Sequence, residues 1–181
     1  MDTASVGLNV RDVTADDVAA VTEIYAHHVV HGTGTFELVP PSEREMADRV
    51  ELIRDAALPY LVAEDASGVV GFAYAGPYRP RPAYAHTVED SVYLRPQATG
   101  RGAGTALLTA LIARCEQWGA RQMIAVIGDS ANHASVRLHD KCGFAMVGTF
   151  RSVGWKHDRW LDTVLMQRRL GDGHATPPTA R

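Results

Sequence analysis

A glycine-rich turn is the feature of this sequence with the clearest chemical potential. It spans residues 99–104, reads Thr-Gly-Arg-Gly-Ala-Gly, and lies between a strand pattern and an apolar-striped helix pattern. Glycines let backbone N–H groups approach a ligand closely, and the following helix adds the positive end of its dipole. The turn therefore predicts an anion cradle that a diphosphate would fit. Its spacing matches neither a Walker loop nor the G-x-G-x-x-G dinucleotide fingerprint, and taken alone it is equally typical of a tight strand-to-helix connection.

A second candidate lies on the predicted helix that follows a buried strand. Asn132 stands where its side chain can cap this helix, and His139 lies two turns further along the segment 132–144. An imidazole has an ordinary pKa of about 6.5, so it can take or give a proton near neutral pH. Taken alone, the segment is also typical of a capped helix that carries a surface histidine.

Three histidines and two cysteines raise the question of a metal site or a disulfide. His27 and His31 lie one helical turn apart, with His28 between them, but no acidic or cysteine partner stands at ligand spacing. Cys115 and Cys142 belong to no Cys-x-x-Cys pair and cannot form a disulfide framework. The sequence therefore predicts no metal site and two cysteines that serve as small core residues.

Hydrophobic periodicity predicts that strands and helices alternate along the chain in a mixed α/β arrangement. Ser42 and Glu45 have capping-box spacing, and Thr14 can cap the helix before them. We expect a single domain over residues 1–170 and a disordered tail over residues 171–181, where Gly, Pro, Thr and Ala leave little to bury. The predicted strands are residues 8–13, 61–63, 69–74, 87–94, 123–127, 144–150 and 160–167, and the predicted helices are residues 14–30, 42–57, 107–118 and 134–141.

Composition and charge restrict the class of partner. The chain has 181 residues, 46% of them hydrophobic, which suits one domain with a sizeable core. Its 18 Lys and Arg against 21 Asp and Glu leave no broad cationic surface, which argues against general nucleic-acid binding. No apolar run approaches the roughly 20 residues needed to cross a bilayer, and the first residues lack the layout of an export signal. We therefore expect a cytoplasmic protein that acts on a small molecule rather than on nucleic acid or a membrane.

The glycine-rich turn and the segment 132–144 together resemble the GNAT superfamily of N-acetyltransferases. In that family a (Gln/Arg)-x-x-Gly-x-(Gly/Ala) loop holds the pyrophosphate of acetyl-CoA, and this chain reads Thr99-x-x-Gly102-x-Gly104. The segment 132–144 is similar to the family's Asn-x-x-Ser/Ala block that ends in Gly-Phe. The resemblance covers about residues 8–168. It implies an α/β GNAT (acyl-CoA N-acyltransferase) fold, with a mixed central sheet flanked by helices.

Four further motifs resemble one branch of that family, whose members acetylate phosphinothricin and methionine sulfoximine. They are Gly-Thr-Gly-Thr-Phe at 32–36, Thr-Val-Glu-x-Ser-Val-Tyr at 87–93, Ser-Val-Arg-Leu-His at 135–139 and Gly-Trp-Lys-His at 154–157. The branch implies acetyl-CoA as co-substrate, direct transfer to the α-amine of a small amino acid analogue, herbicide detoxification and a homodimer. Two alternatives stay open. One is acetylation of protein amino termini or lysines, and the other is a non-catalytic acyl-CoA sensor, because Thr99 stands where Gln or Arg is usual.

Acetyl transfer requires a neutral amine, a polarised acyl carbonyl and a destination for the amine proton. The resemblance makes Glu89 the candidate base, since a partly buried carboxylate near Asp90 has a raised pKa; an ordinary strand carboxylate is the alternative. His139 would be a second proton partner, for the amine or the departing thiolate. Backbone N–H groups of residues 92–94 would hold the acyl oxygen if that strand splays from its neighbour.

The acceptor would be held by its carboxylate and by its side chain. Arg79 or Arg81 would form a two-pronged ion pair with the α-carboxylate of the acceptor, although either can equally be solvated. Phe36 would form one wall of the pocket that holds the acceptor side chain. Tyr93, Trp155 and Trp160 are interpreted as packing residues, with the alternative that Trp155 and Lys156 belong to a segment that lines the acceptor cleft. The acetyl-CoA contacts implied by the resemblance are Val92, Tyr93, Leu94, Thr99, Gly100, Arg101, Gly102, Ala103, Gly104, Thr105, Asn132 and Ser135. The implied acceptor contacts are Phe36, Arg79, Pro80, Arg81, Glu89, Asp90 and Ser91.

Overall fold

The computed structural model describes residues 7–178, which form a seven-stranded sheet with helices on both faces. The helices are α1 (Val18–His31), α2 (Glu43–Asp55), α3 (Ala103–Trp118) and α4 (His133–Lys141). The strands are β1 (Asn9–Asp12), β2 (Tyr60–Asp65), β3 (Gly68–Pro77), β4 (Thr87–Leu94), β5 (Gln122–Gly128), β6 (Ala145–Lys156) and β7 (Arg159–Arg169). Their order in the sheet is β1-β2-β3-β4-β5-β7-β6, and all neighbours are antiparallel except β4 and β5. The predicted fold class, a mixed sheet flanked by helices, is confirmed.

Two hydrophobic cores fix the helices to the sheet. α3 covers one face through Leu107, Leu108 and Leu111, which are fully buried. α1 and α2 cover the other face, where Val21 and Phe72 are fully buried. Since successive side chains of a strand point to opposite faces, each central strand contributes to both cores. No helix within residues 7–178 is both long and apolar enough to cross a membrane.

Capping interactions confirm the predicted start of α2 and revise that of α1. The Glu45 carboxylate accepts a hydrogen bond from the Ser42 N–H, and Ser42 Oγ accepts one from the Glu45 N–H. This reciprocal pair is a capping box. Thr14 was predicted to cap α1, but it begins a short 3₁₀ helix over Ala15–Asp17 that leads into α1. The Asp17 carboxylate accepts from the Thr14 N–H at 2.8 Å, so the turn is fixed before the helix begins.

The last two strands extend further than the sequence predicted. β6 continues to Lys156 and β7 begins at Arg159, and the two pair as a hairpin. Trp155 and Trp160 pack edge-on against each other, with ring centroids 5.2 Å apart, and they do so on the surface, where they are 53% and 61% exposed. β6 is an edge strand, so an apolar side chain in it has no second strand beside it.

The end of the chain lies against Arg121. Its guanidinium donates hydrogen bonds to the carbonyl oxygens of Gly173 and Pro177. The tail predicted over residues 171–181 makes these contacts in the part that the structure describes, and residues 179–181 lie outside the described residues. Disorder of the tail and the boundary of the single domain stay predictions.

The sheet opens between β4 and β5. These strands pair only from Thr87 to Asp90 of β4, and the last rung joins Asp90 to Ala125. Beyond that rung β4 continues to pair with β3 as far as Leu94, and β5 continues to pair with β7 as far as Gly128. Each strand keeps its outer partner while the two inner edges diverge. The result is a wedge whose inner backbone groups have no strand partner.

Two glycines make room for Phe36 beside the wedge. A Cβ atom at Gly154 in β6 would lie 2.3 Å from Phe36 Cε2, and one at Gly128 in β5 would lie 3.0 Å from its Cε1. The ring is therefore held between the two strands and cannot move away from one without meeting the other. These close contacts fix the loop over residues 32–36 on the sheet.

We expect Gly154→Ala to destabilise the fold, because the added methyl group would overlap the confined Phe36 ring. Gly148→Ala in the same strand is the matched control, since no atom lies within 4 Å of its Cβ position. Overpacking lowers the free energy of unfolding by about 1–3 kcal/mol. A substitution without overlap changes it by less than about 0.5 kcal/mol. Denaturant unfolding measures both, and equal losses would contradict the confinement of Phe36.

Candidate active site

A cleft of about 630 Å³ fills the wedge between β4 and β5. Its walls are the inner edge of β4, the end of β5, the glycine-rich turn with the first turn of α3, and one side of α4. The predicted acetyl-CoA contacts that line it are Val92, Tyr93, Leu94, Thr99, Gly100, Gly102, Gly104, Thr105, Asn132 and Ser135. Arg101 and Ala103 belong to the same turn but are not among the lining residues. The two motifs singled out in the sequence are thus brought together at one cleft.

The glycine-rich turn is open toward the cleft. Gly100 and Gly102 have φ of 73° and 89°, a conformation that side chains rarely adopt, and no atom lies within 4 Å of a Cβ at either position. α3 begins at Ala103, and the first N–H groups of a helix have no intrahelical acceptor. Gly104 allows α3 to pack closely on α4, because a Cβ at this position would lie 3.2 Å from the side chain of Leu138. These free amides at a helix N-terminus fit the pyrophosphate of acetyl-CoA.

The side chains of the turn add little to its charge. Thr99 Oγ1 donates to the Pro96 carbonyl oxygen at 2.8 Å, so the hydroxyl closes the 3₁₀ turn before the cradle. Arg101 is the cationic side chain of the turn, and it is exposed. Where the family usually has a long Gln or Arg, this chain therefore uses a short side chain that fixes the backbone. The anion site rests on main-chain donors and the helix dipole.

His28 is a cleft residue that the sequence analysis considered only as a metal ligand. Its Nε2 donates to the Leu94 carbonyl oxygen at 2.8 Å, on the part of β4 that has separated from β5. Its ring lies 5.3 Å from that of Tyr93. Burial lowers the pKa of His28, and the bond to Leu94 only partly opposes this, so the ring is neutral with its proton on Nε2. His28 thus fixes one carbonyl of the splayed strand.

His139 is buried and paired with Asp90, so it is not a surface histidine. Its Nε2 lies 2.9 Å from Asp90 Oδ2, and its Nδ1 lies 2.7 Å from the Ser135 carbonyl oxygen. Burial lowers the pKa of His139, but the hydrogen bond and charge of Asp90 raise it above its ordinary value overall. The α4 cap is as predicted, since Asn132 Oδ1 accepts from the Ser135 N–H. Both ring nitrogens thus have partners within the protein, and the exchange of a proton between His139 and substrate stays a prediction.

Glu89 lies on the opposite face of the sheet from Asp90. The alternation of β4 directs Asp90 toward α3 and α4, and directs Glu89 and Ser91 toward the face covered by α1 and α2. Burial raises the pKa of the Glu89 carboxyl, the charge of Asp90 raises it further, and Arg79 opposes both. Glu89 is not among the residues that line the cleft. It is a half-buried carboxylate with a raised pKa, beside the cleft but on the other face.

The predicted acceptor residues are only partly assembled. Arg79 lies close enough to Glu89 to affect its pKa, and its guanidinium stands 5.1 Å from the centre of the Tyr78 ring. Pro80 and Arg81 are exposed and precede a short 3₁₀ helix. The structure therefore favours Arg79 over Arg81 as a partner for an acceptor carboxylate beside Glu89.

A buried lysine lies near Phe36, in the segment that the sequence analysis considered as a lining of the acceptor cleft. Lys156 Nζ donates to the Thr35 carbonyl oxygen at 2.8 Å, although the two residues are 121 positions apart. Burial lowers the pKa of Lys156, and the charge of Glu37 opposes this effect. Tyr25 donates to Glu37 at 2.8 Å from the other side. These contacts anchor the loop that carries Phe36. Within residues 7–178 no group of three or more His, Cys, Asp or Glu is placed to hold a metal ion.

Comparisons with known proteins agree with this geometry. The sequence matches the acetyltransferase (GNAT) family over residues 19–144. A phosphinothricin N-acetyltransferase of Alcaligenes faecalis is 53% identical over 178 residues, which cover 98% of this chain and 90% of that protein. An L-methionine sulfoximine/L-methionine sulfone acetyltransferase of Salmonella typhimurium is 36% identical over 170 residues, which cover 94% of this chain and 98% of that protein.

A solved structure gives the same result for the fold. The crystal structure of a GNAT superfamily phosphinothricin acetyltransferase from Sinorhizobium meliloti, in complex with acetyl-CoA, is 50% identical and superposes with a TM-score of 0.92. The alignment covers 95% of this chain and 93% of that chain. With the glycine cradle at the head of α3 and the wedge between β4 and β5, these matches show that the chain belongs to the GNAT family of acetyltransferases.

Proposed function

We propose that this protein transfers an acetyl group from acetyl-CoA to the α-amine of a small amino acid analogue, such as phosphinothricin or methionine sulfoximine. The observation that carries the proposal is the glycine cradle at the β4–β5 wedge, with the Glu89 carboxylate on the other face of β4. The relatives named for these two acceptors support the choice of substrate. Such an activity would inactivate the herbicide phosphinothricin, and we place it in the cytoplasm, where acetyl-CoA is available.

Residues on one face of the sheet would bind acetyl-CoA, and residues on the other face would bind the acceptor and take its proton. The amides of Gly102 and the first turn of α3 would bind the pyrophosphate, and the free edge of β4 over residues 92–94 would orient the acyl oxygen. When bound, acetyl-CoA supplies the activated acyl group, whose bond to sulfur breaks as the new bond to the amine nitrogen forms. Glu89 would take the amine proton, directly or through water. Arg79 would bind the acceptor carboxylate.

Incubation with acetyl-CoA and either phosphinothricin or methionine sulfoximine should release free CoA thiol and give the N-acetyl product. Thiol release and mass spectrometry of the acceptor measure the reaction. Free lysine and peptides with free amino termini are the comparison acceptors. A preference for peptides would favour the alternative of protein acetylation, and tight acetyl-CoA binding without transfer to any acceptor would favour the sensor.

Glu89→Gln should lower kcat by about 10²–10⁴-fold, the usual contribution of a general base. Because burial and Asp90 raise the pKa of Glu89, kcat/KM of the parent enzyme should rise with pH through a value above the ordinary 4.5 of a Glu carboxyl. The variant should lose this rise of kcat/KM with pH, while its Kd for acetyl-CoA should not change. Glu51→Gln on the surface of α2, 61% exposed at its side chain, is the matched control. An unaltered pH profile in the Glu89 variant would exclude it as the base.

We also propose that two copies of the chain pair through the free edge of β6. Met146, Val147, Phe150 and Val153 are each more than half exposed along this strand. Its outer edge also carries backbone groups without a strand partner, which a second copy can satisfy by symmetric antiparallel pairing.

Phe150→Glu should convert the dimer to a monomer, because it places a charge in the paired apolar edge. Leu38→Glu is the control, since Leu38 is also exposed but lies in the loop after α1 rather than in β6. Sedimentation velocity measures both. A parent protein that sediments as a monomer, or a Phe150 variant that stays dimeric, would contradict pairing through this edge.

A further inference from the structure

The hydrogen bonds of His139 determine where its protons lie. The Ser135 carbonyl oxygen can only accept, so the contact of 2.7 Å requires a proton on His139 Nδ1. Ser135 Oγ lies farther from the same nitrogen, at 3.4 Å, and cannot replace that bond. One further proton must then lie between Nε2 and Asp90 Oδ2, on one atom or the other. In either arrangement the ring has no free lone pair and no free N–H.

The pair lies in the wall of the cleft and is almost fully buried there. His139 is 4% exposed and Asp90 is 5% exposed. The His139 ring is packed edge-on against Phe144, with centroids 5.0 Å apart. The other oxygen of Asp90, Oδ1, is buried without a hydrogen-bond partner in the part of the chain that the structure describes. The bond to His139 is therefore the contact that keeps this carboxylate in place.

The position of the pair in the sheet indicates what it controls. Asp90 and Ala125 form the last rung between β4 and β5 before the strands diverge. His139 and its partner Ser135 lie on α4, and both are among the residues that line the cleft. The pair thus joins α4 to the point where the wedge begins. A shift at this joint would change the distance between the free edge of β4 and α4, the two sides of the acetyl-CoA cleft.

We propose that His139 and Asp90 act as a positioning pair that sets the opening of the cleft, and that His139 does not exchange a proton with either substrate. This inference rests on the proposed function, because it concerns the site in which acetyl-CoA would bind. Of the two predicted catalytic residues, Glu89 and His139, only Glu89 would then take a proton from the substrate.

The other titratable groups near the pair do not offer it an alternative proton partner. Glu89 is on the same strand but on the opposite face of the sheet. Cys115 on α3 and Cys142 after α4 are thiols whose pKa is raised by burial, that of Cys115 to about 12. Both thiols are therefore neutral near pH 7. Lys141 and Arg168 add positive charge near Cys142, but within residues 7–178 neither donates a hydrogen bond to His139 or Asp90.

Two substitutions of Asp90 distinguish positioning from proton transfer. Asp90→Ala removes the partner of Nε2 and should raise the Kd for acetyl-CoA by at least about tenfold, since a buried polar group is left unsatisfied. In Asp90→Asn a neutral His139 keeps the Nδ1 proton, and Nε2 accepts from the introduced amide N–H. This conservative variant should therefore recover the Kd and most of the kcat lost in Asp90→Ala. Because both variants remove the charge that helps to raise the pKa of Glu89, the pH dependence of Glu89 should move to lower pH equally in the two. Calorimetry measures Kd without an acceptor, so this result does not depend on which amine is the substrate.

If His139 carried a proton during turnover, the outcome would differ. Loss of the carboxylate would then lower the pKa of the imidazole, so Asp90→Asn would lower kcat as much as Asp90→Ala. That result would overturn the proposal. Nitrogen NMR of the parent protein is a second test that needs no variant. Nδ1 should stay protonated from pH 6 to 8, because the Ser135 carbonyl oxygen accepts its proton. Loss of the Nδ1 proton within this range would also overturn the proposal.

Discussion

The loss of pairing between β4 and β5 beyond Asp90 is the constraint on which the site depends. A continuous ladder would satisfy every backbone group of both strands and leave no room for a ligand. Here each strand keeps its outer partner, so the sheet stays intact while one internal edge is free. The cleft is therefore built into the hydrogen-bond pattern of the sheet. It does not depend on a mobile loop.

The anion site shows how little side-chain chemistry such a cleft needs. Gly100 and Gly102 hold backbone conformations that expose amides, and α3 directs its N-terminus at the same place. Thr99 stabilises the preceding turn rather than reaching for phosphate. A long Gln or Arg is thus not required for the cradle to form, because its geometry comes from φ angles and helix position. This weakens the reason for regarding the chain as a non-catalytic sensor.

In the proposed mechanism, the two faces of β4 separate acetyl-CoA binding from proton transfer. Asp90 is buried among the residues that hold the cleft, whereas Glu89 faces the side where Arg79 and the loop of Phe36 lie. Adjacent residues of a strand point in opposite directions, so one short segment can serve both sites. The same proximity couples them, since the charge of Asp90 contributes to the raised pKa of Glu89. A base with a raised pKa is better matched to neutral pH than an ordinary carboxylate.

The sequence by itself determined the order of strands and helices, the capping box of α2 and the glycine cradle, because periodicity, caps and positive φ angles are local properties. It did not reveal that Trp155 and Trp160 pack against each other on the surface of the end hairpin. Only the tertiary structure decided the partners of His139, His28 and Lys156, which bond to residues 49, 66 and 121 positions away. The availability of a ring nitrogen or an ammonium depends on such distant contacts. No spacing along the chain can reveal them.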